Sequence, residues 1–131
     1  MATYRQYWDE MEGVYAKAEV TDGIKKYAAG PALVRTQVDT ERMKTSGNVF
    51  TGTVDVQDPT VTKLDLNRKI PNATVSSCLD VSQWSVINKE TKRPVPLPTD
   101  RLTKYISVAT IERWPDGWKV IKDEPQKGRP C

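Results

Sequence analysis

The chain has 131 residues, 37% of them hydrophobic, with four Trp, five Tyr and one Phe; this is one domain with enough apolar material to bury roughly two thirds of its unfolded surface, and too much for a disordered segment. Its 20 basic and 17 acidic residues leave a formal charge of +3, interleaved with no run of five like charges, which argues against nucleic-acid binding and against an acidic tail. Histidine is absent, so an imidazole base, a Ser-His or Cys-His pair and a His-containing zinc site are excluded, and two cysteines alone cannot build a structural zinc site.

From Tyr4 to Ala18, the residues Tyr4, Tyr7, Trp8, Met11, Tyr15 and Ala18 recur at helical steps, which predicts a helix with one buried, aromatic face. Thr3 is its expected N-cap, the opposite face carries Arg5, Asp9, Glu10, Glu12, Lys17 and Glu19, and Thr21-Asp22-Gly23 ends it. Ile24 to Ala29 reads as a short helical turn ending at Gly30. Pro31 suits the first turn of a further helix that runs to about Lys44, with Leu33, Val34 and Val38 inward and Gly47 as its stop.

After Gly47 the period becomes that of strands. Val49 to Val56 and Thr60 to Leu66 alternate, with Asp58-Pro59 between them as a turn or bulge, and Pro71-Asn72 precedes a strand from Val75 to about Trp84. On that strand Val75, Ser77, Leu79 and Val81 share one face, and Ser76, Cys78 and Asp80 the other. Asn88 to Asp100 holds prolines at 94, 96 and 98 and is expected to be an exposed loop or sheet edge. Leu102 to Trp114 is the longest expected strand. Pro115-Asp116-Gly117 turns it into Trp118 to Lys122, and a polar tail follows from Asp123 to Pro130. Helices followed by strands without crossovers give an α+β class: N-terminal helices packed on a strongly curved antiparallel sheet of about five or six strands.

Cys78 and Cys131 lie 131 − 78 = 53 positions apart. A crosslink over that span contributes roughly 4 kcal/mol in the chain-entropy model and implies an oxidising compartment. The other reading is two unrelated thiols, one buried and one on a frayed tail. No apolar run approaches the roughly 20 residues of a membrane-spanning helix, and Met1-Ala2-Thr3 leads into the first helix without a signal-peptide core. That start reads either as a cytosolic N-terminus or as a chain trimmed to its mature domain.

Tyr4 to Trp8, Lys26-Tyr27-Ala28 with Gly30 and Leu33, Asp58-Pro59, Cys78-Leu79-Asp80 with Ser82 and Trp84, Asp116-Gly117-Trp118-Lys119-Val120 and the terminal Cys131 form a pattern over nearly the whole chain. In this pattern and in its element order the chain resembles the nuclear transport factor 2-like (cystatin-like, cone-shaped) superfamily, and within it small secreted proteins and lipoproteins of actinobacteria that carry no established activity to transfer. The resemblance implies a single cone-like domain over residues 1–131: a helical part at 1–47, a sheet at 48–123, and a tail at 124–131 tied by a Cys78–Cys131 disulfide. It also implies export, as a protein secreted or anchored outside the cytoplasmic membrane, although this chain lacks the signal or lipobox of a precursor.

The wider superfamily includes isomerase-, cyclase- and hydrolase-type enzymes in which a cavity between helices and sheet holds a carboxylate and hydrogen-bond donors. Asp80, inside a strand and on the face of Cys78, is the best candidate base, with Tyr105, Tyr7, Tyr15 and Tyr27 as candidate donors; the favoured reading of Asp80 is nonetheless a structural acceptor, bonded to backbone or to an arginine such as Arg35. Tyr7, Tyr15 and Tyr27 with Trp8, Trp84 and Trp118 are candidates to line a pocket for a small apolar or aromatic ligand, or else to be core. Lys92-Arg93 and Lys127 to Arg129 are basic clusters that read as solvated, and Asn72-Ala73-Thr74 is a low-specificity glycosylation acceptor. No metal or cofactor is implied. The leading expectation is an extracytoplasmic, non-enzymatic domain binding a small ligand or a protein; a cofactor-free enzyme using Asp80, and a homodimer through the sheet face, are the others.

Overall fold

The computed structural model describes residues 2–98 and 101–131, with the backbone alone at Lys127. Met1, the Thr99-Asp100 end of the expected loop and the Lys127 side chain of the second basic cluster lie outside the described residues. Helix α1 (Ala2–Lys17) forms on the aromatic stripe, burying Tyr4, Tyr7, Trp8, Met11 and Val14. Thr3 lies inside this helix rather than capping it. A 3-10 turn (Ile24–Lys26) buries Ile24, and helix α2 (Gly30–Ser46) follows with Pro31 in its first turn. Gly47 closes α2 in the left-handed region at φ 75°, its N–H donating to the Met43 carbonyl, as a glycine C-cap requires.

The inner face of α2 differs from the expected one. Ala32, Thr36, Thr40 and Met43 are buried, while Val34 and Val38 are exposed. Hydrophobicity alone misassigned this face because two threonines occupy it. The Thr36 hydroxyl donates to the Ala32 carbonyl and the Thr40 hydroxyl to the Gln37 carbonyl, which lets them enter the core with their polar atoms satisfied.

Seven strands follow among the described residues: β1 (Asn48–Thr51), β2 (Asp55–Asp65), β3 (Asn72–Asp80), β4 (Ser85–Asn88), β5 (Pro94–Val95), β6 (Lys104–Trp114) and β7 (Gly117–Pro130). They build a four-stranded sheet in the order β2-β3-β6-β7 and a three-stranded one in the order β1-β4-β5, with every neighbouring pair antiparallel. The architecture is α+β, with the helices packed on antiparallel sheets. The single expected strand over Val49 to Val56 is broken in two at Gly52, which holds φ 109° and where a β-carbon would run into the Gln83 carbonyl. Any side chain there would collide with backbone. In β2, Asp58 adopts φ 48° and the register shifts between Gln57 and Thr60, so Asp58-Pro59 is a bulge inside one long strand.

The expected tail at 124–131 is instead the second half of β7, paired with β6 at Glu124 and Pro125 and again at Pro130 opposite Tyr105, with a register shift between the two. Polarity hid it, because as an edge strand it needs no second apolar face. A bulge at its centre sets which side chains face the helices. Ile111 pairs with Val120 but Thr110 pairs with Lys122, so Ile121 is the extra residue and the faces exchange beyond it.

Strand β3 is central, flanked by β2 and β6. Ala73, Val75, Ser77 and Leu79 point to the helices and are buried, and Cys78 lies on the far face. There it is bridged to Cys131, with the α-carbons 6.0 Å apart. The bond passes from the end of β7 across β6 to β3.

Reducing this bond in the folded protein is expected to lower the melting temperature by roughly 15 °C, the equivalent of about 4 kcal/mol of chain entropy for a loop of this length. A Cys78→Ser/Cys131→Ser variant, melted with and without reductant, checks that the loss comes from this bond. Gly52→Ala is expected to destabilise by roughly 1–3 kcal/mol through backbone strain, measured by urea unfolding.

Candidate functional site

The helices and sheet do not meet everywhere. Between α1, α2, the Val81–Trp84 turn and the Tyr105 end of β6 lies a partly open cavity of about 460 Å³. Its wall is mainly aromatic and aliphatic: Tyr7, Trp8, Met11 and Tyr15 come from α1, Met43 from α2, Phe50 from β1, and Val81, Trp84 and Leu97 from the connections beyond β3. The rings form a continuous series, with centroid separations of 6.4 Å for Trp8–Trp84, 5.2 Å for Tyr15–Trp84 and 5.1 Å for Phe50–Trp84. These distances fall in the range of favourable aromatic pairs. Trp84 is set in place by a tight turn, its N–H donating to the Val81 carbonyl at 3.0 Å, and by the close approach of Gly52 to Gln83. Other hollows line the outer face of α2, around Val34 and Val38 and around Thr40 and Lys44; no aromatic side chain reaches them.

The cavity also collects charge. Arg35, Asp39 and Arg42 reach it from α2, Arg101 from the segment before β6, and Asp123 from β7. Asp123 is the residue that sequence alone places wrongly: counted from Val120 by strict alternation it would point outward with the tail. The bulge at Ile121 turns it in, opposite Ala109. Its Oδ1 accepts from the Tyr4 hydroxyl at 2.9 Å and from the Ser107 hydroxyl at 2.7 Å, and Arg35 donates to its backbone carbonyl at 3.2 Å. It is partly buried and lines the cavity. Burial therefore raises its pKa above the ordinary carboxylate value, against the lowering by the Ser107 and Tyr4 hydrogen bonds and the Arg35 charge. Burial is also the first cause that raises the Tyr4, Tyr7, Tyr15 and Tyr105 hydroxyls, reinforced by the Asp123 charge, or by Asp39 in the case of Tyr15. All four stay protonated as donors at neutral pH.

Of the candidates from the sequence, Tyr7, Trp8, Tyr15, Trp84 and Tyr105 meet at this cavity. Tyr27 and Trp118 do not line it; both are half-buried against the main core, where the Tyr27 carbonyl accepts from the N–H of Val120. Asp80 also lies away from it. It ends β3 with its carboxylate in solvent, Oδ1 accepting from the Ser82 N–H at 2.9 Å, and bonds to Ser82 lower its pKa. The backbone-bonded alternative describes this position, and the carboxylate that faces the tyrosines is Asp123. Among the described residues no three carboxylates or cysteines converge as metal ligands would, and no helix is long and apolar enough to cross a membrane.

No protein-family model matches the chain, and no curated protein does. Among solved structures, it is similar to the crystal structure of the intermembrane space region of the chloroplast protein ARC6. That match has a TM-score of 0.66 at 7% identity and covers 99% of this chain and 93% of the other. At this identity the likeness is one of fold.

Because the folded pKa of Asp123 is raised, ionising it is harder in the folded than in the unfolded chain. Stability is therefore lost as pH rises from the ordinary aspartate value through the raised one. Asp123→Asn, which keeps an acceptor for Tyr4 and Ser107 but does not ionise, is expected to remove this decline. Melting temperatures of both proteins from about pH 3 to about pH 8 check it, the difference between the curves growing across that interval in favour of the variant.

Proposed function

We propose that the chain is a cone-shaped, nuclear transport factor 2-like domain that binds a small apolar or aromatic ligand in the cavity between helices and sheet, and that it works outside the cytoplasm. The observation that carries the binding reading is the convergence of five aromatic side chains, Tyr7, Trp8, Tyr15, Phe50 and Trp84, on open space. Rings of this size normally fill a core of this size. Here they leave about 460 Å³, within the span of pockets that hold small organic ligands. The buried indole N–H of Trp84 finds no hydrogen-bond partner among the described residues. The disulfide supports an oxidising compartment, and the element order supports the superfamily.

A second reading is favoured by Asp123: a cofactor-free isomerase, cyclase or hydrolase in which Asp123, rather than Asp80, is the base and Tyr105 a donor. A carboxylate whose pKa burial raises, with one oxygen held by two hydroxyls, is the kind of group that serves as a general base.

The binding reading is tested with N-phenyl-1-naphthylamine, a neutral fluorescent probe. Saturable binding at one site is expected, with quenching of the tryptophans on the wall, and Trp84→Ala or Phe50→Ala is expected to weaken it roughly tenfold, since each removes an aromatic anchor. Binding that both substitutions leave unchanged would place the probe elsewhere and overturn the reading.

A further inference from the structure

We infer that the ligand of this cavity is an amphiphilic anion, with an apolar body against the aromatic wall and a carboxylate head held by Arg35 and the hydroxyls of Tyr7 and Tyr105. The inference rests on the cavity being a ligand site and assigns the chemistry of that ligand.

Three observations carry it. First, three guanidinium groups, Arg35, Arg42 and Arg101, line the cavity against two carboxylates, Asp39 and Asp123. None of the three is in an ion pair among the described residues, where the pairs are Lys44–Glu41 and Lys119–Asp116.

Second, both carboxylates already serve donors from the protein. Asp39 accepts from the Tyr15 hydroxyl at 3.0 Å, and Asp123 Oδ1 accepts from Tyr4 and Ser107. Each carboxylate thus has one oxygen already committed to protein donors.

Third, Tyr7 is only 4% exposed and lines the cavity, yet its hydroxyl makes no hydrogen bond with a described residue, unlike those of its neighbours Tyr4 and Tyr15. Tyr105 lines the same space with its hydroxyl likewise free. Arg35 lines the same cavity as both tyrosines, its guanidinium bonded to the Asp123 carbonyl. A carboxylate there would accept from two neutral donors and one charged donor. Neither a hydroxyl head nor an ammonium head uses all three.

The test is calorimetric titration of the intact, disulfide-bonded chain with three ligands that share a ten-carbon tail: decanoate, 1-decanol and decylammonium. Decanoate is expected to bind about tenfold more tightly than decanol, the worth of one good charge-assisted hydrogen bond, and decylammonium more weakly than either. Arg35→Gln and Tyr105→Phe are each expected to weaken decanoate roughly tenfold while changing decanol by less than about twofold. The Tyr105 change is nearly isosteric, so it reads the hydroxyl even if Arg35→Gln loosens α2 through its lost bond to β7. Equal binding of decanoate and decanol, or tighter binding of decylammonium, overturns the anionic head and leaves the cavity reading standing. Failure of all three to bind, together with failure of the neutral fluorescent probe, overturns both.

Discussion

The contact between Tyr4 and Asp123 joins the first turn of the first helix to the last strand, 119 positions away, and the arrangement of the core follows from it. A carboxylate brought under a helix must find donors, because an unpaired buried charge is worth several kcal/mol against folding. Tyr4 and Ser107 supply them, one from the helix and one from the neighbouring strand. This fixes how far α1 can slide along the sheet, and so fixes where the next turns of its aromatic stripe arrive. Tyr7 and Trp8, one turn on, then sit at the cavity wall instead of deeper in the core.

Much of this fold is legible in the residues. The stripe of α1, the proline and glycine that bound α2, the Pro-Asp-Gly turn and the alternation of β3 each report a local rule that the tertiary structure respects. What the residues hide depends on exceptions to those rules. Thr36 and Thr40 look like surface positions until their hydroxyls are seen to bond their own helix. Gly52 looks like one small residue in a strand, but it is required by the carbonyl of Gln83, a neighbour more than thirty positions on.

The cavity was legible in its materials and not in its assembly. Four of the six aromatic residues expected to bind a ligand, together with Tyr105, line it, since large rings on a buried face tend to share a space. Its carboxylate was not legible, because the deciding feature is a single extra residue in β7. No composition signal marks Ile121 as a bulge, and without the bulge Asp123 belongs to the solvent. Asp80, picked because it sits within a strand, ends up capping a turn, a common use of aspartate where a strand stops.

The covalent link from β7 to β3 encloses everything between Cys78 and Cys131 in one ring. That ring contains Trp84, Leu97, Arg101, Tyr105 and Asp123, so one side of the cavity is carried on a closed loop while the helices of the other side hang from its outside. The two halves are thus joined unequally: the helices are held to the sheet by packing and hydrogen bonds alone, whereas the strands that face them are also held by a covalent closure. Unfolding of the helical side therefore leaves the strand side of the cavity as a closed loop.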